Sequence, residues 1–239
     1  MTVGEVLSRV WADATSRQPL PDPTLVLATG LLAVVVVLLP STWRRVRLGI
    51  TIVHEAGHAV TAVLVGRRLQ GIRLHADTSG VTVSRGRPRG PGMVLMLASG
   101  YLAPAALGLV AALLLADGRP LTLLWLLVLL GLAMLVWVRN GYAALALLGV
   151  GGVVAAIGWW GTAAVQSAAA YAIAWVLLVA APRPLLELVA VRRSGRRGSD
   201  PDQLAAITPL PAMVWVLLLL AASLAGLVVG AGRLAPRLL

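Results

Sequence analysis

Long apolar segments follow one another along nearly the whole chain, separated by short polar connections. Several approach or exceed the ~18 consecutive apolar residues that a helix needs to cross the hydrocarbon core of a bilayer. The seven segments are residues 24–40, 49–66, 92–116, 121–138, 142–160, 163–181 and 208–231. This pattern predicts an all-α polytopic membrane protein with about six or seven transmembrane helices.

The stretch after the second apolar segment has a different period. Ile72 and Leu74 alternate with polar neighbours, the sequence DTSG at 77–80 is typical of a turn, and Val81 and Val83 alternate again. Two short alternating runs around a turn predict a β-hairpin. Because lipid cannot satisfy exposed backbone groups, we expect this hairpin at the surface or in a cavity lined by protein.

The chain is expected to contain one membrane domain with short flanking segments. We assign residues 1–23 to an N-terminal cytoplasmic segment, 24–231 to the domain and 232–239 to a C-terminal tail. Fourteen of the 20 arginines fall on the side of the amino terminus, and positively charged loops favour the cytoplasm. The hairpin, about residues 69–86, and a loop at about 183–207 are therefore expected on the cytoplasmic face.

Composition agrees with a membrane protein and narrows the chemistry. Hydrophobic residues make up 59% of the 239 residues, well above the share in ordinary soluble domains. The net charge of +11 comes from arginine alone; these arginines flank apolar segments, so we expect no nucleic-acid partner. The absence of cysteine excludes disulfides and thiolate metal ligands.

A polar group inside the second apolar segment carries the candidate chemistry. In TIVHEAGHAVTAVLVG, residues 51–66, His54 and His58 are four residues apart and project from one helix face, so both imidazoles can bind one Zn²⁺ ion. Glu55 is placed to take a proton from a zinc-activated water. A metal and its ligands compensate one another, which explains how such polar groups are tolerated in a membrane helix.

These residues and their surroundings resemble a known family. Residues 51–86 are similar to the metal-binding helix and hairpin of the site-2-protease class of intramembrane zinc metallopeptidases, in particular the short bacterial branch without a PDZ domain. SGYLAPAALG (99–108), VRNGYAALALLG (138–149) and SDPDQLAAITPLPAMVW (199–215) resemble the same branch. The resemblance implies a multi-pass protein of the bacterial cell membrane whose partners are the lipid bilayer and a membrane protein or peptide substrate.

The third metal ligand is not given by the family motif. Related proteins supply it from an Asn-x-x-Pro…Leu-Asp-Gly motif, and this chain has no Leu-Asp-Gly, although a catalytic zinc site normally has three protein ligands. Asp77 and Asp117 lie in predicted turns, and Glu187 lies in a predicted interfacial helix. Asp200 and Asp202 are therefore the candidate ligands, with Asp200 preferred. The same two residues also suit the start of a helix, with Asp200 as N-cap, and both interpretations stay open.

Asn140 has two interpretations. By the resemblance, its amide would contact the substrate backbone or a developing oxyanion. The turn-like tetrapeptide VRNG favours the other interpretation, a loop residue between two membrane helices.

The predicted function is hydrolysis of peptide bonds in or near the membrane, with an edge strand of the hairpin holding the unwound substrate. The alternatives are a non-catalytic pseudoprotease scaffold and a metal-handling membrane transporter. The presence of Glu55 favours the enzyme over the scaffold. The scarcity of polar residues in segments 121–138 and 163–181 favours it over the transporter.

Overall fold

The computed structural model describes residues 2–235, of which most are helical, 75% in all, with one small antiparallel hairpin. This agrees with the predicted helical membrane architecture. The elements are α1 (Val3–Thr15), α2 (Pro23–Leu38), α3 (Pro40–Leu64), β1 (Arg68–Leu74), β2 (Gly80–Arg85), α4 (Pro91–Ala116), α5 (Pro120–Leu135), α6 (Gly141–Trp160), α7 (Ala163–Ala180), α8 (Arg183–Arg193), α9 (Asp200–Ile207) and α10 (Ala212–Leu234).

Four helical units in the described part of the chain are long and apolar enough to cross a membrane: α4, α6, α10 and the unit formed by α7 with α8. Helices α2 and α3 would make a fifth span together, although they meet at an angle of 100°. Helix α5 is apolar but has only 16 residues. A multi-pass protein with four to five candidate spans is therefore established, while the count of six or seven stays a prediction.

The boundary between α2 and α3 differs from the predicted one. Leu39 is extended, with φ −74° and ψ 126°, because a residue that precedes proline disfavours the helical conformation. Pro40 then begins α3, nine residues before the predicted start at residue 49. Residues 41–48, which separate the first two predicted apolar segments, are helical. Here Trp43 is buried against the bundle and Arg47 lies 3.6 Å from Glu187.

The predicted hairpin is confirmed. Strands β1 and β2 pair antiparallel, with Ile72 opposite Thr82. In the turn, the Asp77 carboxylate accepts a hydrogen bond from the Ser79 backbone N–H at 2.9 Å. Ile72 is fully buried in a cluster with residues of α3 and α6, so the hairpin is held against the bundle by its apolar face.

One edge of the hairpin is covered by a neighbouring segment. The Ile72 N–H donates to the Trp137 carbonyl at 2.8 Å, and the Arg139 N–H donates to the Ile72 carbonyl at 2.9 Å. The segment that follows α5 therefore occupies the outer edge of β1. The outer edge of β2 lies on the opposite side of the hairpin.

Helices α3 and α4 approach each other closely at Gly57. A Cβ at this position would lie 2.5 Å from the Ala103 Cβ and 2.7 Å from the Ser99 carbonyl oxygen. The Ser99 hydroxyl also donates to the Gly57 carbonyl at 3.0 Å. Small residues let helix backbones approach in this way, and the contact fixes how α3 is rotated toward α4.

The segment at 183–207, expected as a cytoplasmic connection with an interfacial helix around Glu187 and a helix start near Asp200, contains α8 and α9 packed back onto the bundle. Leu185 of α8 and Leu204 of α9 are both fully buried. Helix α10 continues to Leu234, and residues 236–239 of the predicted C-terminal tail lie outside the described residues.

Candidate metal centre

Three side chains from two helices converge at one point. His54 Nε2 and His58 Nε2 of α3 lie 3.0 Å apart, and the Asp200 Oδ2 of α9 lies 3.2 Å from each of them. Within residues 2–235 this is the one group of three or more His, Cys, Asp or Glu side chains whose donor atoms could share an ion. The structure thus brings Asp200 to the two histidines of the sequence motif.

The spacing of these three atoms fits a divalent ion. Zn²⁺ with nitrogen and oxygen ligands at about 2.0–2.1 Å in tetrahedral geometry separates the ligand atoms by about 3.3–3.4 Å. The observed separations are 3.0–3.2 Å. Two imidazoles and one carboxylate are also a ligand set that catalytic zinc uses, and they leave the fourth position open.

The surroundings of His58 fix which ring nitrogen faces the cluster. Its Nδ1 lies 2.7 Å from the Met96 carbonyl oxygen, to which the Ser99 hydroxyl also donates. A carbonyl oxygen only accepts hydrogen bonds, so Nδ1 must carry the proton in a neutral ring. The lone pair is then on Nε2, which is the state that binds a metal.

Gly100 of α4 makes room for the two imidazoles. A Cβ at this position would lie 2.7 Å from the His54 Cε1 and would also overlap the His58 ring. The histidine pair therefore sits directly against the backbone of α4.

Glu55 lies beside the cluster, between α3 and β2. Its side chain is almost fully buried, and its Oε2 accepts a hydrogen bond from the Thr82 hydroxyl at 2.6 Å. Gly80 allows this approach, because a Cβ there would lie 2.7 Å from the Glu55 Oε1. The carboxylate is thus near the candidate metal ligands without being one of the three converging donors.

Asp200 and Asp202 are separated by one residue and have different contacts. The N-cap of α9 is Ser199, one residue before the predicted Asp200. Asp202 accepts hydrogen bonds from the Ser199 N–H at 3.0 Å and hydroxyl at 2.7 Å, and it pairs with Arg192. Burial raises the pKa of Asp202, but the hydrogen bonds from Ser199 and Arg192 outweigh it and lower this pKa to about 2. Asp202 therefore caps the helix, and the structure does not bring it to the histidines.

The other acidic residues of the sequence are engaged elsewhere. Asp77 holds the hairpin turn. Asp117 accepts a hydrogen bond from Arg119 at 2.5 Å, which lowers the pKa of this aspartate below its ordinary value. Glu187 accepts from the Trp43 indole N–H at 2.7 Å.

Comparison with protein families agrees with this geometry. A profile of the Peptidase M50B-like family matches residues 27–230, which is most of the chain. The chain belongs to this family. It is the site-2-protease family, so the resemblance seen in the sequence is confirmed. No curated protein and no solved structure matches the chain significantly.

Membership in the M50B-like family establishes the general class of the protein. The family consists of membrane-embedded zinc metallopeptidases, and together with the apolar helices it indicates a multi-pass membrane protein with a lipid environment. The three converging donors are a possible metal site of such a protein.

Asn140 has a structural role in this M50B-like chain. Its Nδ2 donates to the Leu74 carbonyl at 2.7 Å, and its Oδ1 accepts from the Leu74 N–H at 3.3 Å. The Asn140 amide therefore bonds to the outer edge of β1, next to the bonds that Trp137 and Arg139 make with Ile72. The predicted contact with substrate stays a prediction.

Two cavities meet at the candidate site. One of about 470 Å³ is lined by residues 80–84 of β2 and by Asp200, and one of about 180 Å³ is lined by Arg47 and the hairpin turn. His54, Glu55 and Tyr101 line both cavities.

Sequence reasoning missed Thr82 and Tyr101. Thr82 holds Glu55, and the Tyr101 ring lies perpendicular to the His54 ring at 4.7 Å between centroids. In the sequence, Thr82 resembles an ordinary strand residue and Tyr101 an ordinary helix residue. Local sequence does not indicate that the two side chains face α3. The one available signal was the position of Tyr101 beside Gly100 in the family-like segment 99–108.

Proposed function

We propose that this chain is an intramembrane zinc metalloendopeptidase that hydrolyses peptide bonds of membrane-associated substrates. The observation that carries the proposal is the convergence of His54, His58 and Asp200 at 3.0–3.2 Å beside a buried Glu55. Membership in the M50B-like family supports the same reaction class.

In this proposal His54, His58 and Asp200 hold Zn²⁺. When bound, the ion polarises the scissile carbonyl and lowers the pKa of a water toward ~7. Glu55 takes the proton as the water oxygen attacks the carbonyl carbon, and it then passes that proton to the leaving amine nitrogen. Thr82 keeps the Glu55 carboxylate oriented by donating to its Oε2.

The free edge of β2 is proposed to bind the substrate. Ile72 directs both its N–H and its C=O to segment 137–139, away from β2. In an antiparallel pair the opposite residue does the same, so the backbone groups of Thr82 point away from β1. Residues 80–84 of β2, which include this edge, line the larger cavity. A substrate strand can pair there, which satisfies the backbone of a segment unwound from its helix.

The membrane arrangement belongs to the same proposal. We place the chain in a bacterial cell membrane with six or seven spans and the amino terminus in the cytoplasm. The arginine distribution supports this orientation, because 14 of 20 arginines lie on one predicted side.

The reaction is tested with purified chain in liposomes that contain a panel of labelled transmembrane peptides. We expect about one Zn²⁺ per chain, and cleavage that falls about 100- to 10,000-fold in Glu55→Gln while zinc content is retained. Glu5→Gln is the matched control, because Glu5 caps the exposed helix α1, and its activity should be unchanged.

Two outcomes would contradict the proposal. Cleavage that persists at the native rate in Glu55→Gln removes the assigned base. Zinc transport into the liposomes by both proteins, without cleavage, would favour a metal transporter. Residues 2–235 contain one group of candidate metal donors, whereas a transport path needs a succession of polar sites.

The edge-strand step is tested at Ser84, which has the same backbone orientation as Thr82 because orientation alternates along a strand. Ser84→Pro removes an outward N–H, and we expect turnover to fall about tenfold with zinc content intact. Ser84→Ala removes only the hydroxyl, which contacts Arg67 and Met96. Equal turnover in the two variants would reject substrate pairing at this edge.

A further inference from the structure

The hydroxyl of Tyr101 is an unused hydrogen-bond donor at the candidate site. Two nearby hydroxyls are engaged, since Thr82 donates to Glu55 and Ser199 donates to Asp202. The Gln203 amide also lines the larger cavity, but Gln203 is exposed and does not line the smaller one. Asn140, for which the family resemblance implies an oxyanion contact as one of two interpretations, is bonded to the backbone of β1. Among residues 2–235 the Tyr101 hydroxyl has no such partner, although Tyr101 lines both cavities.

The ring that carries this hydroxyl is held in place on two sides. One side packs against a buried cluster from α8 and α10 that includes Leu185, Val216 and Leu219. On another side its ring meets the His54 ring at a centroid distance of 4.7 Å and an angle of 88°. A donor that is already oriented needs no reorganisation when charge develops, which is why such groups stabilise transition states effectively.

Peptide hydrolysis develops negative charge on the scissile carbonyl oxygen, which a hydrogen-bond donor can stabilise. As the water oxygen bonds to the carbonyl carbon, the electron pair of the C=O bond moves to the carbonyl oxygen. The proton of the water goes to Glu55 and later to the amine nitrogen, when the C–N bond breaks. The carbonyl oxygen carries negative charge between these two events, in a site where Glu55 and Asp200 are also acidic. A neutral O–H donor stabilises that charge without adding a group that competes for the proton.

We propose that Tyr101 is a catalytic residue that donates a hydrogen bond from its hydroxyl to the oxyanion of the transition state. The proposal rests on the proposed function. Tyr101 keeps its proton throughout, and the ground-state substrate gains little from the contact because its carbonyl oxygen carries less charge.

The test is Tyr101→Phe, which keeps the ring and its packing and removes only the hydroxyl. We expect kcat to fall about 100-fold, with KM changed by less than about threefold, because the contact acts in the transition state. Zinc content and zinc affinity, measured by competition with a chelator, should equal those of the native chain. Tyr171→Phe is the matched control, since its hydroxyl lies in the apolar core 3.5 Å from the Leu115 carbonyl; its kcat should be native.

A binding measurement separates this role from a structural one. A phosphinic peptide has a tetrahedral, charged group in place of the scissile carbonyl, so Tyr101→Phe should weaken its binding by about the factor lost in kcat. Binding of the unmodified substrate peptide, measured in the Glu55→Gln background, should be unchanged by the same substitution.

Native kcat in Tyr101→Phe, or equal losses of phosphinic and substrate binding, would overturn the role of Tyr101 while the proposed function stands. Reduced zinc affinity would reassign the tyrosine to support of His54. If the native chain binds no zinc and cleaves no peptide, both the proposed function and the role of Tyr101 are overturned. Failure of the Tyr101 role alone leaves zinc binding and cleavage by the native chain intact.

Discussion

Helices α3 and α9 both supply side-chain donors to the candidate metal centre, and they position these donors in different ways. Helix α3 has 25 residues, and its two histidines face one point because they are one turn apart. Helix α9 has eight residues and contributes only Asp200, whose position depends on where the helix begins.

The supports of the two helices differ accordingly. Helix α3 is fixed by close contact with α4 at Gly57 and Gly100. Helix α9 is fixed at its first turn, where the Asp202 carboxylate accepts hydrogen bonds from the N–H groups of Gly198 and Ser199 and pairs with Arg192 of α8. Changes near α3 should therefore affect folding as well as metal binding, whereas changes in α9 should affect metal binding with little effect on folding.

The largest expected effect on the metal is that of Asp200→Asn. Structural zinc sites bind with about 10–16 kcal/mol over four ligands, so we expect the loss of one charged ligand to weaken zinc affinity roughly 100- to 1,000-fold. Chelator competition measures the affinity, and thermal unfolding in detergent should change little when no metal is present. If this variant binds zinc with native affinity, α9 does not contribute a ligand to the metal centre.

An intermediate effect is expected for Asp202→Asn. The amide keeps the size of the side chain but loses the charge that pairs with Arg192, so the first turn of α9 should loosen. Groups that orient metal ligands typically contribute 10- to 100-fold to affinity, and we expect a loss in that range. If Asp202→Asn lowers zinc affinity as much as Asp200→Asn, the distinction between ligand and cap is wrong.

The smallest effect on the metal, with the largest on stability, is expected for Gly57→Ala. The added Cβ would lie 2.5 Å from the Ala103 Cβ, and overpacking of this kind costs about 1–3 kcal/mol. Thermal unfolding in detergent should show this loss, and zinc affinity should fall less than tenfold. Gly49→Ala is the control on the same helix, because its added Cβ would meet nothing within 4 Å beyond the adjacent backbone of α3. Equal stability of the two variants would contradict the α3–α4 contact.

The elements themselves follow closely from local sequence. Each of the seven predicted apolar segments overlaps a helix, and the hairpin lies where its alternation and turn placed it. The start of α3 was misjudged, because the contacts that bury Trp43 and pair Arg47 join segments more than 100 residues apart. Local charge indicated a connection there, and tertiary contacts favoured a helix.

The ligand choice illustrates the same limit at finer scale. Asp200 and Asp202 are both acidic and both lie in the first turn of α9. Side chains two positions apart on a helix point in different directions, so one faces the histidines and the other faces Arg192. The spacing of Ser199 and Asp202 is a local capping signal that turns Asp202 back to the start of α9. That Asp200 then reaches the histidines depends on how α9 packs against the bundle.

The sequence by itself determined the membrane class, the hairpin and the paired histidines with Glu55, since each depends on spacing within a short segment. Tertiary structure alone decided that Asp200 completes the donor set, that Asn140 covers a strand edge and that Tyr101 faces His54. The physical reason is that helix period and turn chemistry act over a few residues, whereas these contacts depend on the packing of helices that are distant in the chain.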